Sequence, residues 1–499
     1  MAHYLRCDRA PAESLSFLIT MIAMCCRWFA YLAGLVLWSA NAALALPQRP
    51  PNVIFILADD LGWSDLGCYG ADLHETLHLD KLSREGVRFT QAYAMPVCSP
   101  TRASILTGRH AARLHLTIWR EGALEAPHDR PLVPPPAIAD LPSSEVTLAE
   151  VLKGAGYLTF HVGKWHLGDA AHSPETQGFD VNIGGTHWGA PATYFHPFSG
   201  PSGSSREFRY VPGLGLGKPG DYLDDRLTDA ALKLIDEAGD RPFFLNLCFH
   251  LPHTPIEGKA QLVEHYRAKL TPGLHHQNPG YAAMVQTLDD DVGRVLAKLN
   301  ERRLVDRTLV IFASDNGGYI NTNRGSRVTD NSPLRSGKGA LYEGGIRVPL
   351  IVRLPGVTPR GATCDEPVIC TDFFPTIVEL CAGGAAQPSP AGPLDGQSLV
   401  PLLRQPQSHL KREALFFHYP HYYPTTTPVS AVRAGDWKLL EYFEDSRVEL
   451  YNLHEDPGET HSLAAAQPER AAQLRARLHA WWAGVGAQLP QVNPDYRPK

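Results

Sequence analysis

The chain has 499 residues, 44% of them apolar and 20% charged, which is the composition of a globular protein long enough for one large catalytic unit and a smaller one. A net charge of −6 with no long basic run argues against nucleic acid as a partner.

The N-terminus reads as a leader. Arg27 precedes WFAYLAGLVLWSANAALA, an apolar run that ends in small residues and offers cleavage after Ala45, so residues 1–45 form an expected signal peptide. The run is short for a membrane span and no other candidate follows it. Residues 1–20 are long for the region that precedes such a run, and a start at Met21 or Met24 would give an ordinary leader. Export to a periplasm or the exterior follows, with no stable membrane partner; a retained N-terminal anchor is the alternative. Cys7, Cys25 and Cys26 fall in this leader, and the six remaining cysteines are sparse for a disulfide scaffold and match no zinc-finger spacing. Cys364 and Cys370 are close enough in sequence to pair, which spacing does not establish.

From residue 50 onward, apolar runs repeatedly end in polar or glycine-rich residues. NVIFILADD ends in Asp59 and Asp60, YLTFHVGKWHLG in Lys164 and His166, PFFLNLCFHLPHTP in His250 and His253, and TLVIFASDNGG in Asp315 and Asn316. VPLIVRLPG follows the glycine-rich SGKGALYEGGIR, which carries Lys338. Unalternating Val, Ile, Leu and Phe predict strands buried on both faces, hence a mainly parallel sheet. Helical patterns at 145–154, 224–239, 281–303 and 372–381 lie between them, so the fold class is an α/β sandwich. Ligands of such folds sit beyond the carboxyl ends of the strands, where these four ends would converge.

Between the first two of these runs lies MPVCSPTRASILTGR, at 95–109. Ser99 suits a helix N-cap, Pro100 the first helical position, and Thr107-Gly108 a stop. Cys98 then sits at a helix mouth that favours negative charge, with the Arg102 guanidinium one turn on. That arrangement predicts a modified or ionised cysteine facing an oxyanion; taken alone the motif favours an inert buried cysteine beside a capped helix, and the rest of the chain shifts the balance.

Asp59, Asp60, Asp315 and Asn316 form two acid or amide pairs at strand ends. Three carboxylates brought together repel, and all-oxygen donors favour a hard cation, Ca²⁺ or Mg²⁺. Helix capping is the competing role for Asp60 taken singly. Lys164, His166, His253 and Lys338 supply positive charge and proton transfer, whereas His161, His250 and His418 read equally as satisfied interior groups. The Lys338 loop lacks the nucleotide-binding P-loop spacing, and Cys98 and Arg102 are too close for a cysteine-phosphatase loop.

A Pro/Gly/Ala-rich stretch at 382–396 and a boundary near 405–413 divide a catalytic segment, 50–405, from a C-terminal one, 411–499. There VSAVRAGDWKLLEYF and VELYNL predict antiparallel strands turning at AGD, and 467–485 a closing helix with Trp481 and Trp482. Two aromatic and histidine-rich stretches, 186–198 and 416–424, offer Trp188, Tyr194, His196, His418 and His421 as sugar-stacking platforms, with ordinary packing as the equal alternative.

CSPTRASILTGR at 98–109 resembles the sulfatase signature, Cys-x-Pro-x-Arg with a Thr-Gly-Arg tail. PNVIFILADDLGWSDLGCYG, GKWHLG, HLPHTP, SDNGG and GKGALYEGGIRVP occur in the family's order over roughly 50–380, and DWKLL with LYNLHEDPGE resembles its C-terminal portion. The resemblance is to formylglycine-dependent type I sulfatases of the arylsulfatase and N-acetylgalactosamine-sulfatase kind. It implies an alkaline-phosphatase-like sandwich with a smaller C-terminal α+β subdomain built on an antiparallel sheet. It also implies a sulfuric ester hydrolase in which a formylglycine-generating enzyme, reading Pro100 and Arg102 before folding, converts Cys98 to formylglycine. One Ca²⁺ would be held by Asp59, Asp60, Asp315, Asn316 and the modified Cys98. Arg102 and Lys164 would steady the formylglycine, His166 would assist sulfate release, and Lys338 and His253 would face the sulfate and the leaving oxygen. The hydrate's two hydroxyls give attack on sulfur and an exit for sulfate, which a serine ester lacks. No equivalent of the family's additional serine is found in GFDVNIGGTHWG. The expected substrate is a sulfated carbohydrate, such as a galactose or N-acetylgalactosamine sulfate, or an aryl sulfate. The competing readings are a formylglycine phosphonate or phosphate ester hydrolase, and a secreted sulfated-glycan-binding protein without turnover.

Overall fold

The unbroken apolar runs form strands with no exposed face. The computed structural model describes residues 50–125, 127, 129–202, 206–323, 325–382 and 392–497; the stretch expected to be a leader, with its three cysteines, and most of the 382–396 linker lie outside these. In chain order the elements that build the body are β1 (Asn52–Ala58), α1 (Leu77–Glu85), β2 (Val87–Tyr93), α2 (Cys98–Thr107), α3 (Leu148–Gly154), β3 (Leu158–Gly163) and β4 (Val181–Ile183). They continue with α4 (Leu223–Glu237), β5 (Phe243–Cys248), α5 (Pro279–Glu301), β6 (Thr308–Ser314), β7 (Arg347–Arg353), β8 (Ala362–Cys364) and α6 (Phe373–Cys381).

The strands lie in the order β8-β2-β7-β6-β1-β5-β3-β4, with Val368–Ile369 also beside β2. β1 runs parallel to β5 and β6, and β3 parallel to β5 and β4. Only β7 breaks the pattern, pairing antiparallel with β6 and β2. Alternate residues of β1 serve two separate cores. Val53, Phe55 and Leu57 pack on the side of α2, α3 and α6, and Ile54, Ile56 and Ala58 on the side of α1, α4 and α5. Helices on both faces explain why these runs do not alternate with polar residues. The predicted α/β sandwich is therefore the observed one. Among the described residues no helix is long and apolar enough to cross a membrane. All six described cysteines, Cys364 and Cys370 included, are free thiols, so the bridge considered between that pair is not formed.

Towards the C-terminus, β9 (Leu415–Tyr419), β10 (Val429–Ala434), β11 (Trp437–Tyr442) and β12 (Val448–Asn452) form an antiparallel meander in that order. α7 (Pro468–Val485) covers one face, placing Leu474, Leu478 and Trp482 on Val432, Leu439 and Leu450. The other face, through Phe417, Ala431 and Leu440, joins the core on the α2 side of the main sheet, and residues from Pro51 onward form one compact unit.

A buried ion cluster crosses this junction. Lys438 on β11, fully enclosed, places Nζ 2.9 Å from Glu343 Oε1 and 2.8 Å from Glu459 Oε1. Glu343 also accepts from the Tyr93 hydroxyl at 2.7 Å, and its own N–H donates to Glu459 Oε2 at 2.6 Å. Burial pushes Glu459 up to about 7, against the pull of Lys438. Lys438→Met would remove the cation that the two enclosed carboxylates share, leaving Glu343 with Arg347 at 3.6 Å, and is expected to cost about 3–5 kcal/mol at pH 8, where both are ionised. A urea unfolding midpoint equal to that of the wild type would contradict this role.

Candidate active site

Parallel register sets the site. Ala58 pairs with Ser314, Leu57 with Cys248 and Gly163 with Cys248, so four strands end level with one another. The residues that follow leave on one edge: Asp59 and Asp60 after β1, Lys164 and His166 after β3, His250 and His253 after β5, Asp315 and Asn316 after β6. β7 runs the other way, so the loop before it brings Lys338 to the same edge.

α2 supplies Cys98, and it begins two residues earlier than expected. Val97 is the cap residue and Cys98 opens the helix. The Ser99 hydroxyl caps nothing; it donates to the His166 carbonyl at 2.7 Å and ties the helix to the strand end beside it. The stop is as predicted, with Gly108 in the left-handed region at φ 66°. Every residue of α2 is buried. Burial pushes the Cys98 thiol up to about 12, so an unmodified Cys98 is a neutral thiol near pH 7 rather than the ionised one considered from sequence.

Around it, carboxylates and cations alternate. Lys164 Nζ lies 2.5 Å from Asp59 Oδ2, and Asp59 Oδ1 lies 3.6 Å from Cys98 Sγ. Lys338 Nζ lies 2.7 Å from Asp60 Oδ1 and 3.4 Å from Cys98 Sγ. Arg102 donates from Nε and Nη2 to Asp315 Oδ2 at 3.1 and 2.8 Å, and from Nη1 to the Lys164 carbonyl at 2.9 Å. Arg102 and Lys164 thus face the aspartates beneath Cys98. Burial raises Asp59 to about 7 in spite of Lys164, while Lys338 and His253 overcome the same penalty and hold Asp60 low. Arg102 does likewise for Asp315. Lys164, Lys338 and Arg102 offset much of the repulsion among the three gathered aspartates.

The donor set nonetheless fits a hard cation. Asp59, Asp60, Cys98 and His253 present ligand atoms within 4.8 Å of one another. Asn316 Nδ2 donates to Asp60 Oδ1 at 2.8 Å, and its fully buried Oδ1 has no hydrogen-bond partner, an acceptor that a cation would satisfy. Asp315 Oδ1, which accepts from the Asp60 N–H at 3.1 Å, completes the oxygen-rich wall.

Above Cys98 opens a cavity of about 310 Å³. Cys98, His166, His253 and Lys338 form its floor, and Trp119, Glu121, Arg209 and Tyr423 its walls. Burial lowers His253 to about 3 and His166 to about 4, so both rings are neutral near pH 7. His253 Nδ1 lies 2.7 Å from the Thr254 carbonyl and its Nε2 3.5 Å from Asp60 Oδ2. Neither ring nitrogen of His166 has a hydrogen-bond partner. That ring packs on Gly189, where a Cβ would lie 2.4 Å from its Cε1. Only glycine permits this approach, a role that the sequence pattern did not isolate.

The expected sugar platforms lie elsewhere. Tyr194 is fully buried, and its hydroxyl sits 2.6 and 2.8 Å from the His250 and His253 carbonyls, bracing the turn that carries His253. His418 is buried between Ser430 Oγ, at 2.6 Å, and the Gln488 carbonyl, at 2.9 Å. His421 is buried against Thr117 Oγ1 at 2.8 Å. Trp188 packs between His187 and Tyr210, and His196 has its ring against Phe198. The cavity wall begins one residue later, at Gly189 and Ala190. Of the less certain histidines, His161 is enclosed with Asn246 and the Gly163 carbonyl, and His250 is buried behind the site.

Known proteins resemble this chain over most of its length. The sulfatase family pattern matches residues 51–383, and that of the N-sulphoglucosamine sulphohydrolase C-terminal region matches 337–483. A sulfatase of Formosa agariphila is 34% identical over 87% of this chain and 89% of its own length. Human arylsulfatase A is 35% identical over 88% of this chain and 89% of its own. Among solved structures, Ps i-CgsB in complex with k-i-k-neocarrahexaose has a TM-score of 0.72 and 26% identity, over 90% of this chain and 95% of its own.

Cation binding at this site has a direct readout. After chelator treatment, saturating calcium or magnesium at about 100 times Kd is expected to stabilise the protein by about 2.7 kcal/mol, with Asn316→Ala losing most of that gain. Thermal melting with and without added cation would show it. An unchanged melting temperature in the wild type would mean that the three protein cations suffice.

Proposed function

The chain belongs to the sulfatase family and is a sulfuric ester hydrolase, and on that premise we propose that it removes sulfate from a sulfated carbohydrate, with Cys98 matured to formylglycine and Ca²⁺ held beside it. One observation carries the reading. Lys338, His253 and His166 reach the cavity floor beside Cys98, while three aspartates, Arg102 and Lys164 lie sealed beneath it. The complex of Ps i-CgsB with k-i-k-neocarrahexaose supports a saccharide as substrate.

Formylglycine at 98 would supply a hydroxyl as nucleophile and a second hydroxyl through which sulfate leaves. Calcium, held by Asp59, Asp60, Asp315 and Asn316, would supply positive charge beside that carbon. The remaining work falls to this chain's own groups. With Asp59 ionised the three buried cation–carboxylate pairs sum to no net charge, and a bound divalent ion would leave the floor positive, which suits a sulfate ester. Against the burial penalty, Asp60 holds the Lys338 ammonium well above its ordinary range, so it stays charged beside the transferring sulfate. His253 is neutral, and its Nδ1 faces an acceptor-only carbonyl, which leaves Nε2 with the lone pair. Of the two residues expected to face the leaving oxygen, Lys338 therefore carries the proton, because Nε2 of the neutral His253 ring has none to give. His166, neutral and without hydrogen bonds, is the base that takes the proton from the second hydroxyl as sulfate departs. The leader supports export to a periplasm or the exterior, and maturation calls for a formylglycine-generating enzyme.

The mass of the peptide containing Cys98 from the secreted protein is expected to be that of the aldehyde, not the thiol. Cys98→Ala should then lower sulfate ester turnover by at least about a thousandfold. Rates on matched sulfate and phosphate esters settle the reaction class. Faster phosphate cleavage, or an alanine variant as active as the wild type, would sink the proposal.

A further inference from the structure

The cavity walls carry two polar groups whose bonding capacity the protein leaves unused. Glu121 belongs to the short helix Arg120–Leu124, and its buried Oε2 has no hydrogen-bond partner. Its nearest basic groups stand off, with His166 Nε2 3.6 Å from Oε2 and the Arg209 guanidinium Nη2 3.8 Å from Oε1. Arg209 ends the strand Glu207–Arg209 and donates from Nη1 to the Ala190 carbonyl at 3.1 Å. Its Nε is buried with no partner. The Glu121 side chain is nevertheless 38% exposed and that of Arg209 13%, so both groups present polar atoms to the cavity that no close ion pair uses up.

Their chemistry defines a ligand. Burial opposes ionisation of Glu121, yet His166 and Arg209 hold it at about 2, so it is an acceptor only. Arg209 is a donor only. A sugar ring offers neighbouring hydroxyls, each able to give a hydrogen to a carboxylate and accept one from a guanidinium. An aryl ring offers neither. Trp119 and Tyr423, edge to face at 5.7 Å, stand on the same cavity and present apolar ring surface to a sugar's C–H face.

We infer that Glu121 and Arg209 select the substrate by binding hydroxyl groups next to the sulfate on a sugar ring, so that saccharide sulfates are preferred over aryl sulfates. This rests on the carbohydrate reading above and names the residues that enforce it, which are not those the sequence suggested.

The test uses the mature enzyme, with galactose and N-acetylgalactosamine sulfates and 4-nitrophenyl sulfate as probes. Glu121→Gln and Arg209→Gln are each expected to lower the ratio of kcat/KM for the best sugar sulfate to that for the aryl sulfate by at least about tenfold, chiefly through KM. A ratio within about twofold of the wild type overturns the assignment. So do equal losses on both substrates, which would mean that the pair acts through His166. A wild type that cleaves the aryl ester but none of the sugars overturns the carbohydrate reading and this inference with it. A wild type that prefers sugars while both variants keep that preference overturns this inference alone.

Discussion

Three carboxylates enclosed with three cations are the constraint that the rest of this molecule serves. Asp59, Asp60 and Asp315 could not remain ionised in a water-free interior singly, and each meets its own partner within hydrogen-bond distance. The partners come from remote segments: Lys164 from β3, Lys338 from the loop before β7, Arg102 from α2. Level strand ends make that meeting possible. A register slip of one residue on β1 or β6 would exchange the core-facing residues of the strand and turn these acids away from their partners.

The C-terminal sheet takes part in the same economy of charge. Lys338 and Glu343 lie on one short segment; Lys338 faces the site, while Glu343 faces Lys438 on β11. Thr425, between β9 and β10, donates to the Lys338 carbonyl at 2.7 Å. The segment is thus held at both ends by elements more than eighty residues away in sequence. An ammonium that must stay beside Cys98 needs such bracing, because a lysine side chain alone is too flexible to fix a charge.

What could be read from sequence follows from what leaves a local trace. Buried strands leave apolar runs, and chemistry at their ends leaves Asp-Asp, Lys-Trp-His and Asp-Asn, so the converging edge was legible. Gly108 marks the end of α2 because a left-handed residue there has a local signature. Ser99 misled, because a hydroxyl before a helix looks the same whether it caps the helix or reaches across to His166. The pairing of each aspartate with its own cation was not legible for a related reason, since composition shows the acids but not which cations will touch them. Tyr194, His418 and His421 carry the residue types of a sugar platform, yet their polar atoms are spent inside the fold. Glu121 and Arg209 sit in stretches without periodicity or motif, and only the cavity relates them.

Burial also orders events in time. All ten residues of α2 are enclosed, Pro100 and Arg102 among them, and Arg102 is bound to Asp315 and the Lys164 carbonyl. An enzyme that recognises Cys98 through those two side chains cannot reach them in the folded protein, so on the proposed maturation the modification precedes folding. Arg102 then serves twice: as part of the recognised stretch in the extended chain, and afterwards as the cation that keeps Asp315 ionised beneath the residue it helped to modify. A Lys in its place would keep the later charge but lose the forked donation to Asp315 and the strand carbonyl together, which only a guanidinium can make.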